Sequence, residues 1–409
     1  FAFSYSIIDL GQSNSKLLLL YNMNEIISSS QVALILSLII AISRVVRVFS
    51  NYLFPKLLKK NDKNVLSKLI IMLALADFII IIGNFIPLKV IGIGLIAIGF
   101  FTFLALRDPL QNYIRTMVLD NCDVAQQEKV INYFENSYKS GMTPNPCIMC
   151  NKYMKWGTLF DFAINELNAD YIATGHYAKI KKTNGLFKLY PASDEHKDQL
   201  YFLFMLEQEH LKKTLFPLSE YTKSEVRKLA YDNDLPSKSS KESQDICFIQ
   251  SPMTTKKYLN SLIPPLKGYF VEESTGKKLG EHTGFWQFTI GQRKGIGLAA
   301  PEALYVTSID AATNTVYVGY KDKLFSDRLV LKNVNWNYPI NKEKFIFISE
   351  AMVKIRYNMK AVPAEVEIFG SDAVVAFPQR VSAVAAGQAC VIYDKQDGHL
   401  IGGAFIQQG

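Results

Sequence analysis

The run Asp170-Tyr171-Ile172-Ala173-Thr174-Gly175-His176 reads as a short strand that ends in a Gly-His turn. Just upstream, Asn151 can cap a helix whose apolar positions Trp156, Leu159, Phe160, Ala163 and Leu167 fit a 3.6-residue period. A helix leading into a strand with glycine at its carboxyl end points to an open α/β sheet, where ligands collect beyond the strand ends. Gly175 would let a nucleotide approach the backbone closely. The same turn occurs in sheets that bind nothing, and His176 reads either as a ligand contact or as a structural histidine.

Further along, Lys197-Asp198-Gln199 precedes Leu200-Tyr201-Phe202-Leu203, a helix start that by itself is a solvated polar turn. A polar helix is expected over 223–233, closed by Leu235-Pro236. The basic, glycine-spaced run Thr289 to Gly297 is a tight turn or a phosphate contact, without P-loop spacing. Tyr305 to Val318 reads as a hairpin around Ala312-Thr313-Asn314. From Val330 to Phe405, alternation such as Ala364-Glu365-Val366-Glu367-Ile368 predicts several short strands and hence a small barrel. Arg356-Tyr357 and Gln388 fall in or beside those strands. An Arg next to an aromatic suits RNA, and equally an ordinary exposed strand.

The five cysteines are too few and too odd in number for a secreted disulfide scaffold. Cys150 lies just before the expected helix, with Lys152 and Lys155 nearby, and both features favour thiolate. The other reading is a small buried hydrophobe. Cys147 and Cys150 form a CxxC, which suits a redox pair or half a zinc site; with no second CxxC, no metal site is expected. Cys247, in Ser243-Gln244-Asp245-Ile246-Cys247-Phe248, is either core or a strand end at a polar site.

A chain of 409 residues needs two or three domains, and its net charge of +8 suits a polyanion, an anionic lipid surface or a lysine-rich solvated face. Residues 30–106 are strongly apolar: between Asp77 and Arg107 the only charged residue is Lys89. That length predicts membrane-spanning helices, with Lys56, Lys59, Lys60, Lys63 and Lys68 in a cytoplasmic loop. A buried helical core is the competing explanation. The segment 107–132 vaguely resembles inter-span regions of major-facilitator transporters. Phe1 to Leu20 lacks the basic start and cleavage-like site of a secretory signal.

Eight runs, in order, resemble the bacterial tRNA-specific 2-thiouridylases: TPNPCIMCNKYMKWG (143–157), ATGHYA (173–178), KDQLYFL (197–203), SQDICFI (243–249), FTIGQRKGIGL (288–298), KIRYNMKA (354–361), GQACVIYD (387–394) and IGGAFI (401–406). The resemblance covers about residues 134–409. It implies ATP-dependent 2-thiolation of the tRNA wobble uridine, with ATP, Mg2+ and persulfide sulfur from a sulfur-carrier protein or cysteine desulfurase. It implies that Cys247 bears the persulfide, that Cys150 is the nucleophile, and that the two form a disulfide as sulfur leaves. It places Asn145, Pro146 and Cys147 against the target base, and His176, Lys197, Asp198, Gln199, Arg356, Tyr357 and Gln388 on tRNA, with Gly175 at ATP. Many relatives carry Asp where this chain has Cys147. The resemblance also implies a Ser-Gly-Gly-x-Asp-Ser pyrophosphate loop, and residues 1–134 contain no such run.

The expected architecture is therefore α/β: a truncated Rossmann-like nucleotide-binding catalytic domain over 134–250, a small central domain over 251–325 and a C-terminal β-barrel over 326–409. The N-terminal 1–133 is expected to be all-α and membrane-spanning, associating with a membrane through residues 30–106, while the enzyme portion is cytoplasmic. The rival expectation is a chimeric membrane protein or transporter fragment with an inactive tRNA-binding tail.

Overall fold

The computed structural model describes residues 126–239, 246–249, 252–337 and 345–407, with a few positions between 75 and 102. The chain divides into two units, Phe1–Asn121 and Cys122–Gly409, and the described residues fall almost wholly in the second. The expectation of membrane-spanning helices is corrected here: no helix among the described residues is long and apolar enough to cross a membrane. Most of residues 30–106, and the all-α reading of 1–133, lie outside the described residues. An uncharged apolar run is necessary for a span, but it is also the composition of a buried helix, so the run alone could not decide.

In the first part of the second unit, a helical path runs through Pro146–Met149, Cys150–Thr158, Leu159–Asp161 and Phe162–Glu166. Its start is set by Asn145, extended at φ −115° and ψ 93°, whose side chain accepts from the Cys147 amide at 3.2 Å, and by Pro146 in the first turn. The sequence placed the cap at Asn151 instead. There the structure buries Asn151 to 3% exposure, its Nδ2 donating to the Phe202 carbonyl at 3.0 Å. The turns of Cys150–Thr158 are wide, of the i to i+5 kind, and Gly157 leaves helical geometry at φ −107°, ψ −105°.

The expected strand forms as β1 (Ile172–Ala173) and pairs in parallel with β4 (Thr214–Leu215). Between them come the hairpin β2 (Lys179–Thr183) and β3 (Leu186–Tyr190) and a single 3₁₀ turn, Leu200–Leu203. The polar helix is Lys223–Asp232, started by a reciprocal Thr222–Glu225 capping box.

A four-stranded sheet follows, in the order β6 (Lys278–His282), β5 (Gly268–Glu272), β8 (Thr315–Gly319), β7 (Tyr305–Asp310). The predicted hairpin is β7–β8, turning through Asn314 at φ 50°. Phe134, Phe270, Trp286, Val306 and Val316 fill its core.

The last part is a seven-stranded antiparallel sheet in the order β10 (Asn335–Trp336), β15 (Leu400–Phe405), β14 (Ala389–Asp394), β11 (Ile346–Lys354), β12 (Val362–Phe369), β13 (Asp372–Ser382), β9 (Phe325–Leu331). The alternation behaves as read: Ala364, Val366 and Ile368 are buried, and Glu365 and Glu367 are not. β14 is an exception, buried at five successive positions from Ala389 to Tyr393. Cys390 and Ile392 face the core of the seven-stranded sheet. Ala389, Val391 and Tyr393 face a second core with Trp156, Leu200, Tyr201 and Phe204.

Candidate active site

Cys147 and Cys150 sit in the first turns of the helical path, Cys147 exposed and Cys150 half-buried. Cys147, rather than Cys150, is the residue at the helix start, because Asn145 and Pro146 begin the helix earlier than Asn151 would. Cys247 lies on the turn Ile246–Ile249, not at a strand end; residues 240–245 lie outside the described residues. That turn is anchored by its neighbours: Ile249 is buried and Phe248 packs edge-on to Phe134 at 5.3 Å, which leaves Cys247 exposed. Both segments lie within electrostatic reach of Lys155. The charges of Cys150, Cys147 and Cys247 all act on the Lys155 ammonium and raise its pKa, against a larger lowering by burial. Burial also pushes the Cys147 thiol up, as does Cys247, and Lys155 opposes both.

On its other side, the Lys155 Nζ lies 3.1 Å from His176 Nε2. His176 follows β1 and is 7% exposed, between Trp156 and Phe216 with ring centroids at 5.3 and 6.1 Å. Its Nδ1 is 2.9 Å from Thr174 Oγ1. Burial, reinforced by Lys155, lowers its pKa to about 3, so the imidazole is neutral. The structure thus places His176 inside the site, away from the surface. Gly175, beside it, is exposed, and a Cβ there would meet nothing nearer than the Leu218 side chain at 3.7 Å.

Several of the remaining expected tRNA contacts are engaged internally. Gln388 Nε2 donates to the Thr143 carbonyl at 2.8 Å, and the Thr143 amide donates to Ala386 at 2.8 Å, which fastens the segment before Asn145 to the barrel sheet. Arg356 Nη2 donates to the Ser382 and Ala383 carbonyls at 2.8 and 2.5 Å. The Tyr357 ring packs on Phe202 at 4.4 Å. Gln199 Oε1 accepts from the Tyr177 amide at 2.9 Å, and Asp198 Oδ1 accepts from the Ala192 amide at 3.4 Å. The Lys197 amide donates to Asp194 at 3.0 Å. Pro146 is buried.

Two features escaped the sequence reading. Lys155 was named only as a neighbour of Cys150; its five-residue offset hides the relation, because an ordinary helix turns residues five apart to different sides. Asp394, Asp397 and His399, on the β14–β15 turn, bring ligand atoms within 4.8 Å of one another. Both imidazole nitrogens there already face side chains: Nδ1 lies 2.5 Å from Asp397, and Nε2 lies 3.2 Å from the Lys188 ammonium.

Comparison with known proteins bears on the whole of this arrangement. The tRNA methyl transferase HUP domain family matches residues 114–251, the tRNA methyl transferase PRC-barrel domain family residues 256–320, and the Aminomethyltransferase beta-barrel domain family residues 326–406. The tRNA-specific 2-thiouridylase MnmA of Chlorobium phaeovibrioides is 41% identical over 285 residues, 68% of this chain and 78% of that protein. Its counterpart in Chlorobium phaeobacteroides is 40% identical over 291 residues, covering 70% and 80%. That of a Picosynechococcus species is 38% identical over 299 residues, covering 71% and 81%. The first match reaches back to residue 114, inside the 107–132 segment that had suggested a transporter loop, and no finding supports a transporter.

Proposed function

The chain belongs to the tRNA-specific 2-thiouridylase family, and from that premise we propose that it transfers sulfur to C2 of the wobble uridine of tRNA, with ATP as co-substrate. The observation that carries this reading is that Cys150 on the helical path and Cys247 on its exposed turn, from distant parts of the chain, both act electrostatically on Lys155. Cys247, exposed on its turn, takes up the persulfide from a sulfur-carrier protein or cysteine desulfurase. The outer sulfur bonds to C2 of a uridine swung out of its stack. The Cys150 thiolate then attacks Cys247 Sγ, the S–S bond to the outer sulfur breaks, and that sulfur stays on C2. A Cys150–Cys247 disulfide remains, which a thiol reductant reopens.

ATP, when bound, makes the uridine oxygen a leaving group. The exposed Gly175 backbone, just past the carboxyl end of β1, is where the nucleotide approaches. Mg2+ enters as counter-ion of the triphosphate. Asn145, Pro146 and Cys147 take the side of the base. His176, Lys197, Asp198, Gln199, Arg356, Tyr357 and Gln388 serve tRNA through the surfaces they hold in place. The net charge of +8 supplies phosphate affinity that falls with salt.

The test is incubation of the purified chain with ATP, Mg2+, a sulfur donor and undermodified tRNA, with 2-thiouridine read by nucleoside mass spectrometry. Product is expected from the wild type and lost in both Cys150→Ser and Cys247→Ser. Persulfide loading should be lost only in Cys247→Ser. Product formation that survives either substitution would overturn the assignment.

A further inference from the structure

We propose that Cys147 is the resolving thiol of this site: it attacks the Cys150–Cys247 disulfide at Cys150, so that the bond ends within the CxxC pair and Cys247 is freed for the next sulfur. This rests on the sulfurtransferase reading above, and adds to it the step that returns Cys247 to its thiol form.

Three observations carry it. The first is backbone geometry. The Cys150 amide donates to the Cys147 carbonyl, three residues back, as well as to the Pro146 carbonyl. A three-residue turn sets side chains i and i+3 one above the other. On an ordinary helix such residues have Cβ atoms about 5–6 Å apart, and a disulfide needs about 3.5–4.5 Å, so the tightened turn closes part of the gap. The second is fixation. Asn145 Oδ1 accepts from the Cys147 amide at 3.2 Å, and Pro146 between them has its φ locked by its ring. The pair is therefore held by backbone bonds that involve neither sulfur. The third is access. Cys147 is exposed and Cys150 half-buried, so a small thiol reaches the Cys147 sulfur more readily.

The step moves a bond without net oxidation. The Cys147 thiol gives its proton to solvent, and the thiolate attacks Cys150 Sγ. The Cys147–Cys150 bond forms as the Cys150–Cys247 bond breaks, and Cys247 leaves as thiolate. Two molecules of a small thiol then reduce the new disulfide, entering at the Cys147 sulfur, and depart as their own disulfide. Burial raises the Cys147 thiol pKa, which thins its thiolate at pH 7 but makes each thiolate the stronger nucleophile.

The test is one turnover without reductant. The full chain, persulfide-loaded and freed of sulfur donor, receives ATP, Mg2+ and undermodified tRNA. Acid quench, alkylation and peptide mass spectrometry then locate the disulfide. The wild type should carry a Cys147–Cys150 bond and a Cys247 alkylated directly on Sγ. In Cys147→Ser the bond should stay between Cys150 and Cys247, and Cys247 alkylation should be lost. A wild type that holds only the Cys150–Cys247 bond would overturn the proposal. A second arm needs no tRNA: diamide treatment of Cys247→Ser should join Cys147 to Cys150, with Cys390, buried in the barrel core, unlabelled as the folding control. Should Cys390 react, Cys247→Ala repeats this arm. A folded variant in which diamide does not join the pair would be equally fatal. A pair joined by diamide in a chain whose wild type makes no 2-thiouridine would sink the sulfurtransferase reading and leave the Cys147–Cys150 pairing standing.

Discussion

Tyr201 joins the first part of the second unit to the barrel sheet through one hydroxyl, which donates to the Ala389 carbonyl at 3.0 Å and accepts from the Ala389 amide at 3.1 Å. Both groups are buried, so Tyr201→Phe leaves two backbone partners unpaired without opening a cavity. The expected loss is about 1–3 kcal/mol, read from the urea midpoint. Asp198, nearby in the chain, makes a pH-dependent contribution. Burial raises its carboxyl from 3.8 to about 6, against the opposing charge of Lys354 and the Ala192 and Leu200 amides. The native state therefore holds this proton more tightly than the unfolded chain. The stability gained is complete below the unfolded value and is lost as pH rises through about 6. Asp198→Asn keeps an acceptor and removes the titration, so its advantage over the wild type should grow between about pH 4 and pH 7. An advantage of equal size at both pH values would contradict the assignment. Such roles were not legible in the sequence: Lys197-Asp198-Gln199 reads as a solvated turn because nothing local says that its carboxyl is covered by another element.

The segment before the reactive helix is held by a strand end. Thr143 and Gln388 close a clasp across Gly387, whose φ is +89° and whose added Cβ would lie 2.9 Å from the Thr143 carbonyl carbon and oxygen. Gly387→Ala should push the clasp open and misplace Asn145 to Cys150. The expected signature is a thiolation rate lowered by about 100-fold, the order a displacement near 1 Å can cause, with far-UV circular dichroism unchanged. A variant of wild-type rate would show that the clasp does not set the cysteines. At this scale the sequence was most readable where one period dominates. The β12 alternation, the β7–β8 hairpin and the Lys223–Asp232 helix came through their patterns. The helix start did not, because Asn145-Pro146 and Asn151 are both valid caps by type, and only the packing of Asn151 under Phe202 separates them. Nor did the wide turns, which no 3.6-residue period can announce.

Across the second unit, β14 and β15 serve two cores. Cys390, Ile392 and Ile401 belong to the barrel core, and Val391, Tyr393 and Leu400 belong to the core around Trp156. Ile392→Ala and Leu400→Ala, on opposite faces, should each cost about 2–5 kcal/mol and should lower the same transition. Tryptophan fluorescence and far-UV circular dichroism would check this, since Trp156 and Trp286 lie in two of the three cores and Trp336 packs against the third. Resolved transitions would mean that the parts fold separately. The family models match residues 114–251, 256–320 and 326–406, and neither such a division nor composition can show a strand shared by neighbours on both its faces. The apolar N-terminal run misled for a related reason: hydropathy records what a segment avoids, not what covers it. The shared strands have a further, practical outcome. The connection Tyr320 to Lys323, leading into β9, is exposed, whereas β14 and β15 beyond it are gripped from both sides. A chain severed at that connection should stay in one piece, and its two fragments, made as separate polypeptides, should reassemble through those strands.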